Sequence, residues 1–408
     1  MALIVQKYGG TSVGSIARIK NVAQRIAKTK KEGHDLVVVV SAMSGETDRL
    51  LSLAKSIQDP PPARELDVVL STGEQVTIGL MAMMLQKLDI DAVSYTGWQV
   101  PIFTNEVHGK ARIKKIEEKY IREELKKNRV VVIAGFQGIN DRAITTLGRG
   151  GSDTSAVAVA ACLKADECQI YTDVEGVYTT DPRVEPRARK LDTITFEEML
   201  ELASLGSKVL QIRSVAFAGK YGVRLRVLSS LKENPGEGTL ITFEGDKNME
   251  HTVVSGIAFD KNQARVNVKG VPDRPGVAYQ ILGPIAEHNI EVDMIIQPAS
   301  ATADTTDFSF TLPRNDYQEA LRILKNEQDK IGAAEVDGSD RVVKISAVGL
   351  GMHSNVGVAS KIFKALADEG INIQMISTSE IKVSVLLDER YLELATRVLH
   401  QAFELEKI

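Results

Sequence analysis

Lys7 stands just ahead of a glycine pair in Lys7-Tyr8-Gly9-Gly10-Thr11-Ser12, directly after the apolar run Ala2–Val5. A strand, a glycine turn and a helix start together make a phosphate site. Glycine lets the main chain approach the anion, and unpaired N–H groups and the helix dipole face it. Lys7 adds a positive charge, while Thr11 and Ser12 offer helix-capping hydroxyls. The lysine precedes the glycines, unlike a Walker A loop, and the spacing is not G-x-G-x-x-G. Taken alone, the motif is equally a plain glycine turn between a strand and a helix. A second cluster, Gly148-Arg149-Gly150-Gly151-Ser152-Asp153, leads into a predicted helix over Ser152–Leu163. Arg149 suits a bidentate grip on carboxylate or phosphate. Asp153, in the first helical turn, suits either the helix dipole or the aiming of a lysine. Two anion sites, each with a cation, fit a reaction that joins an anionic substrate to a polyphosphate.

A third cluster runs from Tyr171 to Arg183, after the predicted strand Gln169–Thr172. In it Tyr178 can stack on a base, Asp173 can bond base or ribose, and Arg183 can pair with phosphate; the plain alternative is a long polar surface loop. Lys208 is a further cation, or a solvated helix lysine. Glu74 opens a predicted helical segment and suits an ammonium group, or serves as a helix N-terminal acid. Ser41 to Thr47 follow the strand Leu36–Val40, at the strand end where α/β folds bind ligands.

These residues need elements to position them. Up to about residue 245, short apolar runs alternate with amphipathic helical stretches such as Pro62–Leu88, the pattern of helices layered on a mostly parallel sheet. Predicted strands are Ala2–Val5, Leu36–Val40, Ala92–Tyr95, Val130–Ala134, Gln169–Thr172 and Leu225–Val227. Glu244 to Asn248 reads as a linker. Beyond it one order of elements occurs twice: Gly276 and Gly357, like Met294 and Met375, are 81 residues apart (357 − 276, 375 − 294). A constant offset marks two copies of one small domain. The first copy reads βαββαβ. The second has three strands, Val342–Ala347, Ile371–Ser377 and Ile381–Leu387, before the helix Tyr391–Phe403. The spare strand Thr252–Phe259 is expected to cross back and complete it; otherwise the second copy has an exposed edge.

The chain has 408 residues, 43% hydrophobic and 25% charged, with a net charge of −4. Nothing in that balance favours nucleic acid or an acidic membrane as partner. Two cysteines, Cys162 and Cys168, suggest no disulfide framework. Neither a signal peptide nor an apolar run long enough to span a bilayer is evident, so a cytoplasmic protein is expected.

In combination and order, Lys7–Ser12, Gly148–Asp153 and Tyr171–Arg183 resemble aspartate kinase, and the repeated half resembles its tandem ACT domains. The resemblance covers essentially the whole chain, with no homoserine dehydrogenase extension. It implies an amino acid kinase fold (three-layer α/β/α) over 1–245, then ferredoxin-like ACT domains over 265–340 and 341–408, the latter completed by 252–259. It implies ATP- and Mg²⁺-dependent phosphorylation of the L-aspartate β-carboxylate to 4-phospho-L-aspartate, on the route to lysine, threonine and methionine. By motif position, Lys7 and Asp153 would be catalytic. Lys7, Tyr8, Gly9, Gly10, Ser41, Thr172, Asp173, Tyr178, Arg183 and Lys208 would hold ATP. Thr47, Glu74, Arg149, Gly150, Gly151 and Ser152 would hold aspartate. Mg²⁺ would be carried by the ATP phosphates, with no metal site of the protein's own.

The ACT half implies sites for lysine, threonine or both. They comprise Asp273, Pro275, Gly276, Val277, Ala278, Asn289, Ile290, Asp293 and Gln297 in the first copy, and Asn372, Ile373, Ser379 and Glu380 in the second. It also implies a homo-oligomer through the ACT sheets, and in some relatives a small subunit from an internal start, here near Met249. Two alternatives stay open: another kinase of this fold, acting on glutamate or acetylglutamate, and a non-catalytic amino-acid sensor.

Overall fold

A computed structural model describes residues 1–207, 209–234, 236–243, 253–298 and 305–407. The chain divides into two units. The first holds residues 1–177, 190–203 and 208–247; the second holds 178–189, 204–207 and 248–408.

In chain order the first unit contains β1 (Leu3–Tyr8), α1 (Ile16–Lys31), β2 (Asp35–Val40), α2 (Glu46–Ile57) and α3 (Ala63–Lys87). Next come β3 (Ala92–Tyr95), β4 (Ile102–Thr104), β5 (Ile113–Ile116), α4 (Lys119–Lys126), β6 (Val130–Ala134), β7 (Gln137–Asn140) and β8 (Ala143–Thr146). Then follow α5 (Gly151–Leu163), β9 (Glu167–Thr172), β10 (Thr193–Thr195), α6 (Phe196–Ser204), α7 (Ile212–Tyr221), β11 (Leu225–Ser229) and β12 (Thr239–Thr242). An eight-stranded sheet has the order β10-β12-β11-β9-β1-β2-β6-β3. Six neighbouring strands, β11 to β3, run parallel; β12 is antiparallel to β11 and parallel to β10. A four-stranded sheet, β5-β4-β7-β8, stands beside it.

Side chains alternate across a strand. Ile4, Tyr8, Leu36, Val38, Val40, Val130 and Val132 therefore share one face and pack with apolar residues of α1 and α3. Lys7 points to the other face, where α5 lies on β1, β2 and β9. The parallel crossovers gather the strand C-termini at one edge, where the turns after β1, β2, β6 and β9 lie, while the turn into α5 follows β8 of the small sheet.

Several elements differ from the sequence expectations. The N-cap of α1 is Ser15, whose hydroxyl accepts from the Arg18 N–H at 3.3 Å, rather than Thr11 or Ser12. Glu74 lies in the middle of α3, not at a helix start. The small sheet was not legible: its strands have three or four residues and no apolar run of their own. By length and hydropathy α3 is suited to crossing a membrane. Here its Asp67, Ser71, Glu74 and Thr77 are buried within the protein.

The second unit contains β13 (Gly256–Pro272), α8 (Val277–Glu287), β14 (Ile295–Ile296), β15 (Thr305–Leu312), α9 (Tyr317–Ile331), β16 (Glu335–Val348), α10 (Val358–Asp368), β17 (Met375–Thr378), β18 (Lys382–Asp388) and α11 (Leu392–Ala402). They form one six-stranded sheet, β14-β15-β13-β16-β18-β17. Its two central strands serve both copies. Val266–Lys269 pairs with Glu335–Gly338 inside the first copy, and Gly256–Asp260 pairs with Lys344–Val348 of the second. The predicted strands Ile290–Ile296 and Ile371–Ser377 shorten to Ile295–Ile296 and Met375–Thr378. The linker Glu244–Asn248 and Met249 lie outside the described residues.

Candidate active site

Lys7 is the penultimate residue of β1, with its partner on α5. Its Nζ lies 2.5 Å from Asp153 Oδ1, and both residues are more than nine-tenths buried. A buried charge needs an opposite one, so Asp153 balances the Lys7 side chain and aims it beyond the strand end. Gly9 leaves room for it: a Cβ there would stand 3.4 Å from Lys7 Nζ. The amides of Gly10 and Thr11 have no protein acceptor among the described residues. Ser12, 3% exposed, has a hydroxyl without a partner. Unsatisfied donors around a lysine are what an anion would complete. The motif already contained Ser12, but it reads there as a cap; its buried, unpaired state marks it as a ligand group.

The Gly9-Gly10 turn abuts the loop after β2. A Cβ on Gly10 would meet Ala42 O at 3.0 Å, and Ser41 N–H donates to Tyr8 O at 3.1 Å. The Ala42 N–H in turn donates to Glu74 Oε1 at 3.0 Å. Glu74 Oε2 is buried with no partner, and burial pushes its carboxyl up to about 7. A carboxylate with one oxygen anchored and one unpaired suits an ammonium. Thr47, half-buried, sits in the first turn of α2.

The turn from β8 into α5 supplies the second anion site. Gly148 and Gly150 have φ of +76° and +68°, which L side chains rarely adopt. The amides of Gly150, Ser152 and Asp153 find no protein acceptor among the described residues. Arg149 is exposed and makes no ion pair or hydrogen bond through its guanidinium among the described residues. Ser152 packs on the turn after β6, where a Cβ on Gly135 would meet its Oγ at 2.7 Å. Sequence reasoning passed over Gly135-Phe136, although a glycine at a strand end was a signal.

Around β9 the structure distributes the expected nucleotide residues. Tyr8 has its ring in the core, stacked on Tyr171 at 4.7 Å, with its hydroxyl on Gln6 and its carbonyl on the Ser41 N–H, so the structure does not offer it to a nucleotide, contrary to the motif's suggestion. Thr172 and Asp173 stand at the end of β9, with Asp173 exposed. Ser230 donates its N–H and hydroxyl to Thr172 O at 2.7 and 2.9 Å, and Lys232 pairs with Glu175 at 2.6 Å. Tyr178 and Arg183 belong to the second unit. There Asp181 binds the Arg183 guanidinium through both oxygens, at 3.0 and 2.7 Å, which lowers the Asp181 carboxyl below its usual range. Lys208 lies outside the described residues.

In the second unit Asp273, Pro275 and Gly276 are exposed before α8, whose cap Gly276 has φ +94°. Val277 is buried and Ala278 half-buried. Asn289 (φ +56°) and Gln297 are exposed, and Ile290 is buried. Asp293 is paired with the buried Lys344, a partner that sequence reading did not supply. Asn372, Ser379 and Glu380 are exposed, and Ile373 is half-buried.

The amino acid kinase family profile matches residues 2–229, and an ACT domain profile matches 266–328 and 345–403. The chain is 64% identical over 407 residues to the aspartate kinase of Pseudomonas putida, covering 100% of this chain and 98% of that one. It also resembles the crystal structure of E. coli aspartokinase III in complex with aspartate and ADP (R-state). The TM-score is 0.79 at 25% identity, over 98% of this chain and 99% of that one. The same enzyme in complex with lysine and aspartate (T-state) matches with a TM-score of 0.78 at 25% identity, over the same shares, 98% and 99%.

Proposed function

The chain belongs to the aspartate kinase family, and on that premise we propose that it transfers the γ-phosphoryl group of ATP to the β-carboxylate of L-aspartate. The product is 4-phospho-L-aspartate, from which lysine, threonine and methionine are made. The observation that carries the reading is the buried Lys7–Asp153 pair, set between two glycine turns in which the amides of Gly10, Thr11, Gly150, Ser152 and Asp153 lack protein acceptors among the described residues. In this reading Glu74 takes the substrate ammonium. Arg149 takes a carboxylate, and Thr47, Ser152 and the Gly150–Gly151 main chain complete the pocket. The β-carboxylate is ionised at neutral pH and needs no general base. One of its oxygens attacks the γ-phosphorus, the bond to the β,γ-bridging oxygen breaks, and ADP leaves. Lys7 and the amides of Gly10 and Thr11 offset charge on the transferring group, whereas the Gly9 amide, expected from the motif to help, already donates to Tyr171 O at 3.4 Å. Ser41, Thr172, Asp173, Tyr178, Arg183 and Lys208 are the proposed nucleotide contacts.

Among the described residues no three His, Cys, Asp or Glu side chains gather as metal ligands. Mg²⁺ would therefore ride on the ATP phosphates and neutralise their charge there. The second unit would bind lysine, threonine or both as feedback effectors and join copies of the chain through its sheet. In this reading the protein works in the cytoplasm, as the sequence leads us to expect.

The test is ATP-dependent acyl phosphate formation, trapped with hydroxylamine, from aspartate, glutamate and acetylglutamate. Aspartyl hydroxamate is expected, and its absence would overturn the reading. Lysine and threonine, added singly and together, would identify the effectors. Lys7→Ala should lower kcat by about 10²-fold or more in a protein that still folds, and its Tm should fall, because Asp153 is left as a buried carboxylate without its cation.

A further inference from the structure

Asp67 is fully buried in α3, two helical turns before Glu74 and on the same face. Its carboxylate accepts from His108 Nδ1 at 2.7 Å, from the Gly109 N–H at 3.1 Å on each oxygen, and from Thr146 Oγ1 at 2.5 Å. His108 and Gly109 lie in the β4–β5 hairpin loop; Thr146 ends β8, close before Arg149. One carboxylate thus ties the hairpin to the start of the substrate turn. Arg213, at the start of α7, makes a parallel tie. Its Nη1 donates to Leu147 O at 2.8 Å and its Nη2 to Ala111 O at 2.7 Å. The Ala111 N–H bonds Thr146 O at 2.9 Å, and a Cβ on Gly148 would meet Gly109 O at 2.9 Å.

Two charged side chains from two helices therefore converge on Thr146 and Leu147. The turn beyond is built of glycine and has little stiffness of its own. The Arg149 side chain has no partner among the described residues, so its aim depends on where its main chain is held.

We propose that Asp67 and Arg213 are positioning residues that set the Gly148–Gly151 turn so that Arg149 and the α5 amides meet the carboxylates of the amino-acid substrate. The proposal rests on reading this turn as the aspartate site. It is tested by steady-state hydroxamate kinetics on Thr146→Val, Arg213→Met and Asp67→Asn, with Thr146→Ser as the conservative rescue. Thermal-shift titrations with aspartate, and separately with ADP, give a readout independent of turnover. KM for aspartate should rise about 10- to 100-fold, since misplacement by about 1 Å can cost 10²-fold. KM for ATP and the ADP titration should change less than about twofold, and Thr146→Ser should restore aspartate affinity. If Asp67→Asn fails to fold, Thr146→Val, which removes one donor at nearly constant volume, carries the test. An unchanged KM for aspartate in folded variants, or an equal rise for both substrates, overturns the proposal. A wild-type enzyme forming no aspartyl hydroxamate overturns the substrate assignment instead.

Discussion

Glu74 holds one oxygen on the Ala42 N–H and leaves the other without a donor in the protein. Its carboxyl is pushed up to about 7 because burial penalises the anion. The unfolded chain ionises it near 4.5 and the fold near 7, so the fold is favoured below 4.5 and loses stability as pH rises to 7. The full loss is about 3 kcal/mol. Glu74→Gln should therefore stabilise the ligand-free protein at pH 8 by about 1–3 kcal/mol in urea unfolding, while aspartate binding is lost. In the wild type, KM for aspartate should climb about tenfold per pH unit below 7, as the ammonium loses its anionic partner. A flat profile between pH 5.5 and 7 would remove Glu74 from substrate recognition. The sequence suggested the ammonium role from residue type alone. The unpaired oxygen that supports it arises only when α3 and the loop after β2 meet.

At the scale of elements, α3 reaches that loop through a glycine. A Cβ on Gly73 would lie 2.8 Å from Ala42 Cβ. Gly73→Ala should force the loop off the helix, destabilise the protein by about 1–3 kcal/mol and weaken aspartate binding, because it moves the N–H that anchors Glu74. Calorimetry with an aspartate titration checks both effects. A second element-scale contact lies in the second unit. His400 of α11 is fully buried, with its Nε2 2.9 Å from Thr179 Oγ1 in the segment 178–189. Burial lowers its pKa from 6.5, against the opposing carboxylates of Glu185 and Glu406 and with help from Arg187. The unfolded state thus takes up a proton that the fold resists, and stability falls as pH drops below about 6.5. Limited trypsin digestion should cut after Arg183, Arg187 or Arg189 faster at pH 5.5 than at pH 7.5, relative to His400→Leu measured at both. Equal ratios in the two proteins would show that the histidine does not govern the segment.

At the scale of the molecule, the six-stranded sheet makes the two repeated copies inseparable. β13 and β16 each run through both copies, so neither copy closes its sheet without the other. The second unit should therefore unfold in one calorimetric transition, with calorimetric and van't Hoff enthalpies equal for that step. Ile345→Pro, in β16 between Phe259 and Val385, should remove that transition whole rather than half of it. Two separable transitions within the unit would contradict the interlock.

The sequence by itself determined the α/β layering, the repeat at offset 81 and most large elements, because long apolar periods and glycine turns are local signals, while the kinase and ACT character came from the family resemblance of three motifs and the repeated half. It also named Lys7, Asp153 and Glu74. Tertiary structure alone decided which of the named residues meet. Strand alternation turns Lys7 towards α5 and Tyr8 into the core. Asp293 is taken by Lys344, which lies far along the chain. The segment 178–189 follows β9 of the first unit in the chain but belongs to the second unit. The short strands that carry the substrate turn, and Asp67 and Arg213 that hold it, left no local mark. Each depends on partners distant in sequence, and a single sequence records residue types and spacing, not which distant residues share a face.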